Sequence, residues 1–292
     1  MSIAFQGSIP MPLDLPRKLF DYEVVDFLGE GAGSRIYVVA DPGTRQLLAL
    51  KHVVRRTEKD CRYIEQVIAE FEISRRFNHR GLRRSLDLKL TRTLLRKIIE
   101  AGLVMELVDG LSLEVRQPPT MTQLVECFIQ VAEALAAMHH MGLVHCDLKP
   151  NNIMITPDLQ VRLIDFGQAC KVNTVKERIQ GTPDYIAPEQ VKRDPVTPRT
   201  DVFNFGATLY WALTGRNIPT LYTLKKDELS FLSADQIPSP HSLNPAVPEN
   251  LSALVMECIR SNPARRPGDM NELVRRLELI RHALARSSEV VS

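Results

Sequence analysis

The character of the chain changes about a third of the way along its 292 residues. From Tyr22 onward, β-branched and aromatic residues form short runs that glycines and an Asp41-Pro42-Gly43 turn interrupt, which is typical of antiparallel strands. Beyond Met121 the apolar residues recur at helical spacing, first in a long stretch that Gly142 ends. The sequence therefore predicts an α+β protein whose β-rich first part meets a mainly helical second part near residues 106–112.

Periodicity places further elements on this outline. A helix is predicted over 60–78, and strands over 86–90 and 101–107. In the second part, helices are predicted over 122–142, 201–214, 249–260 and 270–286, with short strands over 152–155 and 161–164. The segment 216–248 is rich in proline, so we expect it to be mostly irregular, with room for one short helix.

Composition excludes several classes of protein. The 37 basic and 35 acidic residues give a net charge of +2, and 44% of the residues are hydrophobic. Such a chain is neither disordered nor a polybasic binder, so we expect no nucleic-acid partner and no membrane partner. No apolar stretch is expected to reach the ~18 residues of a membrane span, and the N-terminus lacks the pattern of a signal peptide. The five cysteines lack a C-x-x-C pair and predict free thiols, hence a cytoplasmic location.

A glycine-rich segment separates the first two predicted strands. Glycines at such a place let backbone N–H groups approach phosphate oxygens, although a plain flexible hairpin is an equal alternative. It is neither a P-loop, because no G-K-[ST] follows, nor a clean dinucleotide fingerprint, because a strand follows. The residues are Leu28, Gly29, Glu30, Gly31, Ala32, Gly33, Ser34, Arg35 and Ile36.

Three further motifs follow in a fixed order. Lys51 lies at the end of an apolar strand, where a lysine is more often a surface residue than a phosphate ligand. His145-Cys146-Asp147-Leu148-Lys149-Pro150-Asn151-Asn152 comes next, and Asp165-Phe166-Gly167 follows an apolar strand. Any of these alone is compatible with an ordinary loop, whereas the combination in this order is very hard to obtain by chance.

Together with Gly181–Glu189, these motifs make the chain resemble the eukaryotic-type (Hanks-type) Ser/Thr protein kinases over residues 20–282. The resemblance implies a bilobal fold with a small β-rich N-lobe and a larger, mainly helical C-lobe. The implied boundaries are an N-terminal extension at 1–20, the N-lobe at 21–108, the C-lobe at 109–286 and a tail at 287–292. The implied activity is transfer of the ATP γ-phosphate to protein Ser/Thr hydroxyls with Mg²⁺.

The resemblance also assigns roles to single residues. Lys51 would hold the ATP phosphates and pair with Glu70, with Glu72 as the alternative partner. Met105 would be the gatekeeper, and backbone groups of Glu106 and Val108 would bind adenine. The ring would lie among three apolar side chains, for which core packing is the plainer explanation: Ile36, Ala49 and Met154.

For the transfer step, the resemblance makes Asp147 the catalytic base and Lys149 the group that neutralises the moving phosphate. Asn152 and Asp165 would be the metal ligands. Thr182 would bridge Asp147 and Lys149, which favours Ser/Thr acceptors. In the scaffold, Asp201 would hold the catalytic-loop backbone, and the last implied pair is Arg266 with Glu189.

Several residues depart from the family pattern. Cys146 replaces the arginine before the catalytic Asp, so we expect basal activity without phosphorylation of Thr174, the sole hydroxyl residue between Gly167 and Gly181. Ser34 replaces a loop glycine. Ser74 replaces an apolar helix residue, which predicts that the Lys51–Glu70 pairing is conditional, for example on a regulatory partner. Cys146 and Cys170 lie near the active-site motifs, where inert buried thiols are favoured over a redox switch.

The basic run at 75–97 has two interpretations. Solvated strand edges are the plainer one, and a docking surface that includes Arg83 and Arg84 is the other. Two alternatives to an active protein kinase also remain. One is a weakly active pseudokinase scaffold, although every residue that the chemistry needs is present. The other is a small-molecule kinase on a related fold, which would generally lack Gly181–Glu189 and an equivalent of Arg266.

Overall fold

A computed structural model describes residues 15–31, 33–223 and 237–289. Ala32 and the ranges 1–14, 224–236 and 290–292 lie outside the described residues. The chain divides into two compact units, of which the first comprises residues 1–111 with Asp165–Gly167, and the second comprises 112–164 with 168–292. The division falls three residues after the predicted boundary at 108. In addition, Asp165–Gly167 belongs to the first unit although both of its flanks belong to the second.

The first unit is built on one antiparallel sheet with the strand order β1-β2-β3-β4-β6-β5. Its helix α1 follows β4 in the chain and packs on β6, β5 and β4. The bounds are β1 Lys18–Leu19, β2 Tyr22–Gly31, β3 Ser34–Ala40, β4 Leu47–Val54, α1 Cys61–Ser74, β5 Ser85–Arg92 and β6 Ile98–Glu106.

Period-two alternation gives this sheet two apolar faces. Ala49, Val53 and Met105 lie on one face and pack against Ile64 and Val67 of α1. On the other face, the intervening residues form a second core cluster together with residues of β1 and the start of β2. Its members are Leu19, Tyr22, Phe27, Tyr37, Val39, Leu48, Leu50 and Val104. Lys51 shares the α1 face, because it lies two residues from both Ala49 and Val53.

The end of the predicted extension 1–20 belongs to the sheet. Lys18 and Leu19 pair with Glu23 and Tyr22, and Leu19 is buried in the core. Prolines are dense just before this strand, which disfavours a long strand, but a short edge strand needs few backbone partners and one buried leucine anchors it.

The predicted helix over 60–78 is too long at its C-terminal end. Asp60 lies in a 3₁₀ turn, and its carboxylate accepts a hydrogen bond from the Thr57 amide. The α-helix α1 begins only at the next residue, Cys61. After Ser74 the amides of Arg76 and Phe77 bond carbonyls three residues back, so the chain tightens and leaves the α-helix. Phe77 remains buried, which is why its periodicity still looked helical.

The second unit is mainly helical. Its helices are α2 Met121–His140, α3 Pro188–Lys192, α4 Pro198–Thr214, α5 Pro240–Leu243, α6 Glu249–Cys258 and α7 Met270–Glu289. Its short strands are β8 Leu143–Val144, β9 Ile153–Ile155, β10 Val161–Leu163 and β11 Cys170–Lys171, and β7 Leu111–Ser112 crosses the division between the units. Helix α4 begins three residues earlier than predicted, because Pro198 is a favourable first residue and Thr197 precedes it as the cap.

Two predicted segments differ at their ends. In the proline-rich segment the short helix is α5, and residues 224–236 lie outside the described part. Helix α7 continues to Glu289, so it takes up three residues that the sequence placed in the tail.

One helix among the described residues, α2, is long and apolar enough by length and composition to cross a membrane. The expectation that no stretch reaches that length is wrong here, because Glu126 and Glu133 are its sole acidic or basic residues other than histidine. However, 61% of its apolar window is buried inside the protein, and a core helix passes the same test.

Candidate active site

A three-membered ion cluster lies in the first unit. The ammonium of Lys51 on β4 donates to Glu70 Oε2 at 2.8 Å and to Asp165 Oδ1 at 3.0 Å. Burial works to lower the pKa of Lys51, but Asp165 and Glu70 outweigh it and raise the pKa above its ordinary value. Lys51 therefore stays charged at every physiological pH, and its position is fixed by two carboxylates.

Glu70 lies on α1 with its side chain buried, and it has a second contact. Its other carboxylate oxygen accepts the Phe166 amide at 3.3 Å. The alternative partner, Glu72, instead pairs with Arg75 at the surface of the same helix. Two residues along a helix turn the side chain by about 200°, so both acids cannot face Lys51.

The Asp165-Phe166-Gly167 segment is held in an uncommon conformation. Asp165 has a φ of 62°, in the left-handed region that non-glycine residues rarely adopt. The Phe166 ring is buried and packs edge-on against Phe77 at 4.7 Å between centroids. A buried aromatic anchor thus carries the strained carboxylate next to Lys51.

The second unit carries a separate cluster around Asp147. Its Oδ1 accepts both the amide of Thr182 at 2.9 Å and the Thr182 hydroxyl at 2.8 Å. Lys149 Nζ donates to the same hydroxyl at 2.9 Å and lies 3.3 Å from Asp147 Oδ2. The Asn152 amide nitrogen donates to the Asp147 carbonyl at 2.8 Å. The arrangement fixes one carboxylate oxygen and leaves the other beside a single cation.

The backbone before Asp147 is held from α4. The fully buried Asp201 carboxylate accepts the amides of His145 and Cys146 at 2.8 and 2.9 Å, and it contacts His139 Nε2 at 2.8 Å. Burial works to raise the pKa of Asp201, but the hydrogen bond and charge of His139 outweigh it, so the pKa lies below its ordinary value. Cys146 has a φ of 65°, and these bonds hold that strained geometry.

The start of α3 is clamped to a later loop of the same unit. Arg266 NH1 and NH2 donate to the two oxygens of Glu189 at 2.7 and 2.9 Å. The guanidinium also donates to the carbonyls of Arg260 and Arg199, so this buried cation is saturated with acceptors.

These motifs, in this order, have a counterpart among known proteins: residues 22–277 match the family described as Protein kinase domain. The chain belongs to the protein kinase family. Members of this family take ATP with a divalent metal and act on protein substrates.

Curated relatives of this kinase domain carry Ser/Thr kinase names. A probable serine/threonine-protein kinase of Clostridium acetobutylicum is 26% identical over 276 residues, which are 92% of this chain and 41% of the relative. The serine/threonine-protein kinase PknB of Mycobacterium tuberculosis is 29% identical over 281 residues, which are 91% of this chain and 44% of PknB. The kinase domain therefore spans less than half the length of these relatives.

The glycine-rich segment of the kinase domain forms the hairpin between β2 and β3. Gly29 pairs with Ile36 and Gly31 with Ser34, while Ala32 lies outside the described residues. Gly33 has a φ of 80°, and a Cβ there would come within 2.4 Å of the Tyr63 ring. Glycine is therefore required at 33 for both backbone and space, whereas Ser34 begins β3. Leu28 packs with the α1-face core, and Glu30 lies 3.6 Å from Arg35.

The predicted adenine contacts are divided between the units. In the first, Ala49 pairs with the fully buried Met105, and Ile36 pairs with Lys51. The Glu106 amide donates to the Arg84 carbonyl at the end of β6. Val108 follows β6 and is half-buried, and Met154 lies on β9 of the second unit.

A cavity of about 740 Å³ borders the same hairpin but does not include the ion cluster. Tyr37, His52 and Val54 line it, and these residues alternate with Ile36, Lys51 and Val53 along their strands. The cavity thus lies on the opposite face of the sheet from Lys51, and we assign the phosphate site to the face with the charges.

The sequence analysis did not predict the environment of three buried polar side chains. Gln190 on α3 donates to the Cys146 carbonyl at 2.8 Å, and no motif marked it. Arg83, expected either on a solvated strand edge or in a docking surface, is buried, and that burial lowers its pKa against the opposing effect of Glu70, Asp165 and Glu106. Ser74 bonds the Glu70 carbonyl and Ser85, each at 2.6 Å, so it supports the helix that carries Glu70 rather than loosening it.

Proposed function

We propose that this protein is an ATP-dependent Ser/Thr protein kinase that uses Mg²⁺. The observation that carries the proposal is the cluster of Asp147, Lys149 and Thr182, which joins a carboxylate, a cation and a hydroxyl within hydrogen-bond distance. Phosphoryl transfer needs positioning and charge stabilisation more than covalent chemistry, and this cluster supplies both. The Ser/Thr kinase names of the relatives support the same conclusion.

In this proposal the nucleotide phosphates bind at the first unit's ion cluster. Lys51 would hold the α- and β-phosphates, because its ammonium is fixed by Glu70 and its charge is permanent. Asp165 would be one Mg²⁺ ligand, with a side chain 42% exposed beside Lys51. Asn152 would be the other, because its amide nitrogen is committed to the Asp147 carbonyl and its carbonyl oxygen is a hard ligand. When bound, the metal would neutralise charge on the phosphates.

Asp147 would accept the proton of the substrate hydroxyl. Thr182 occupies its Oδ1 twice, so Oδ2 is the oxygen assigned to the proton. Lys149, 3.3 Å from that oxygen, would offset the negative charge of the moving phosphoryl group. The Lys-Pro pair after Leu148 resembles the catalytic loop of Ser/Thr kinases, and we therefore propose serine and threonine as acceptors.

The proposal includes the setting in which the protein works. All five cysteines are free thiols, which suits a reducing compartment such as the cytoplasm. With a net charge of +2, we propose protein substrates, a possible regulatory partner, and neither nucleic acid nor membrane.

The test is labelled phosphate transfer from ATP with Mg²⁺ to generic Ser/Thr acceptors. Asp147→Asn should lower kcat about 10²- to 10⁴-fold while ATP still raises the melting temperature, because the change removes the base and leaves the phosphate site. Asp194→Asn, an exposed carboxylate of the same unit, is the matched control and should keep full activity.

Two results would contradict the proposal. If Asp147→Asn still transferred phosphate at the wild-type rate, Asp147 would not be the catalytic base. A wild-type protein that binds ATP and transfers nothing would be the scaffold alternative instead.

A further inference from the structure

Two thiols lie side by side next to the catalytic base. Cys146 directly precedes Asp147, and Cys170 lies on β11, where it pairs with Val144 of β8. Their sulfur atoms are 3.8 Å apart, and both side chains share an apolar cluster with Val144, Val196 and Val172. Cysteines 24 residues apart in the chain thus meet because two short strands pair.

The environment gives the two thiols different reactivity. A hydrogen bond from Cys146 lowers the pKa of Cys170 to about 7, with further help from Lys176 and Thr174 and against the effect of burial. The same hydrogen bond, together with burial, raises the pKa of Cys146 well above its ordinary value. Near neutral pH a substantial fraction of Cys170 is therefore thiolate, and Cys146 is the thiol that donates to it.

We propose that Cys146 and Cys170 are an oxidative modification site that closes into an intramolecular disulfide. Bond formation stands on its own, whereas the effect on turnover rests on the proposed kinase activity. Cys170 is partly exposed, so a small oxidant can reach it, and Cys146 is buried beside it as the resolving thiol.

The chemistry balances with a peroxide as the oxidant. The Cys170 thiolate attacks one oxygen of hydrogen peroxide, the O–O bond breaks, and with one proton the products are a sulfenic acid and water. Cys146 sulfur then attacks the sulfenic sulfur, the S–O bond breaks, and the thiol proton leaves with hydroxide as a second water. The two sulfurs lose two electrons, which reduce the peroxide.

Closing the bond disturbs the catalytic loop. A disulfide needs its sulfurs about 2.05 Å apart, well inside the present 3.8 Å. The Cys146 backbone is held on one side by Asp201 and on the other by Gln190, and its φ is already strained. A displacement of a catalytic group by about 1 Å can lower a rate about a hundredfold. We therefore expect the turnover of the oxidised protein to fall at least about tenfold.

The experiment uses the full chain. The protein is treated with excess hydrogen peroxide, free thiols are then alkylated, and peptides are mapped with and without a dithiol reductant. We expect a Cys146–Cys170 peptide pair that reductant separates, with a parallel loss and recovery of phosphate transfer. Cys170→Ser should be active and insensitive to the same peroxide dose.

The matched control is Cys61→Ser, which removes a half-buried thiol of the other unit and should leave the response to peroxide intact. Peptide maps without the Cys146–Cys170 pair would overturn the proposal, whatever the activity shows. A disulfide that forms without changing turnover would overturn its regulatory part. If peroxide still abolished phosphate transfer in Cys170→Ser, the sensitivity would belong to another residue, and the proposal would be overturned as well. A kinase assay that fails from the start would concern the proposed function alone, because the peptide map needs no turnover.

Discussion

The mostly buried ammonium of Lys51 is matched by two groups of opposite charge. Lys51 lies between Glu70 and Asp165, and the Glu70 side chain is 1% exposed. Leaving such a carboxylate without its cation is costly, because the attraction of the opposite charge is what offsets the desolvation of a buried ion.

Lys51→Met should therefore affect both activity and stability. The apolar stem keeps its volume, while the ammonium that fixes the phosphates is lost, and we expect phosphate transfer to fall at least about a hundredfold. The free energy of unfolding should fall by about 2–3 kcal/mol, less than for a fully buried pair because Asp165 is partly exposed. Transfer assays and urea unfolding measure the two effects. Lys59→Met, at an exposed position, is the control, and equal losses in both variants would contradict the assignment.

Thr174 is the residue at which loop phosphorylation would be expected to act. Its hydroxyl donates to the Lys171 carbonyl at 2.7 Å, its carbonyl accepts the Val196 amide, and Cys146 takes the place of the family arginine. We therefore expect Thr174→Ala, and wild type treated with phosphatase, to keep basal activity within about twofold, since no arginine before Asp147 reads a phosphate. Abolished turnover in either sample would show that the segment needs the phosphate.

At the scale of elements, α1 and β5 are joined by two buried serines. Ser74 Oγ donates to the Glu70 carbonyl, and a second hydrogen bond joins it to Ser85 Oγ. Ser74→Ala and Ser85→Ala should each cost about 1 kcal/mol. The double variant should cost less than their sum, because either change already removes the shared bond. Urea unfolding of all four proteins gives the coupling energy.

Ser112→Ala is the control, because Ser112 Oγ is buried without a partner among the described residues. Additive costs of Ser74→Ala and Ser85→Ala would contradict the shared bond.

The clamp between α3 and the 3₁₀ turn near Arg266 depends on the planar guanidinium. Arg266→Lys keeps the charge but loses the fork that serves both oxygens of Glu189 and three backbone carbonyls. We expect a loss of at least about 2 kcal/mol in the free energy of unfolding. Arg265→Lys, an exposed neighbour, should be neutral, and thermal unfolding of the two variants provides the comparison.

The sequence predicted those elements whose periodicity is long and those side chains that stand in spaced motifs. The helix α2 was predicted because its apolar residues recur at helical spacing, and the strands around Lys51 were predicted because they are β-branched and apolar runs between turn residues. The pairing of Cys146 with Cys170 was not visible, because β8 and β11 have two residues each and show no period. The burial of Arg83 was also missed, since Arg83 lies in the connection between α1 and β5, where no period indicates which side chains point inward.

For the molecule as a whole, stability in acid reports on carboxylates with lowered pKa values. The pKa of Asp201 lies below its ordinary 3.8, so its contribution is fully present above that value and is lost as the pH falls through the lower folded pKa. Glu257, paired with Arg276, has the same sign. We expect the melting temperature to fall as the pH drops below about 4. Asp201→Asn should be less stable at neutral pH and should lose less in acid, and parallel curves for the two proteins would contradict this origin.

The groups that fix the Asp147 carboxylate are an amide, a hydroxyl and an ammonium of this same chain. If Asp147 is the base, as we propose, folding alone supplies these contacts. We therefore expect phosphate transfer without prior treatment by an activating enzyme, and we expect inhibitors of the protein to act by displacing these groups.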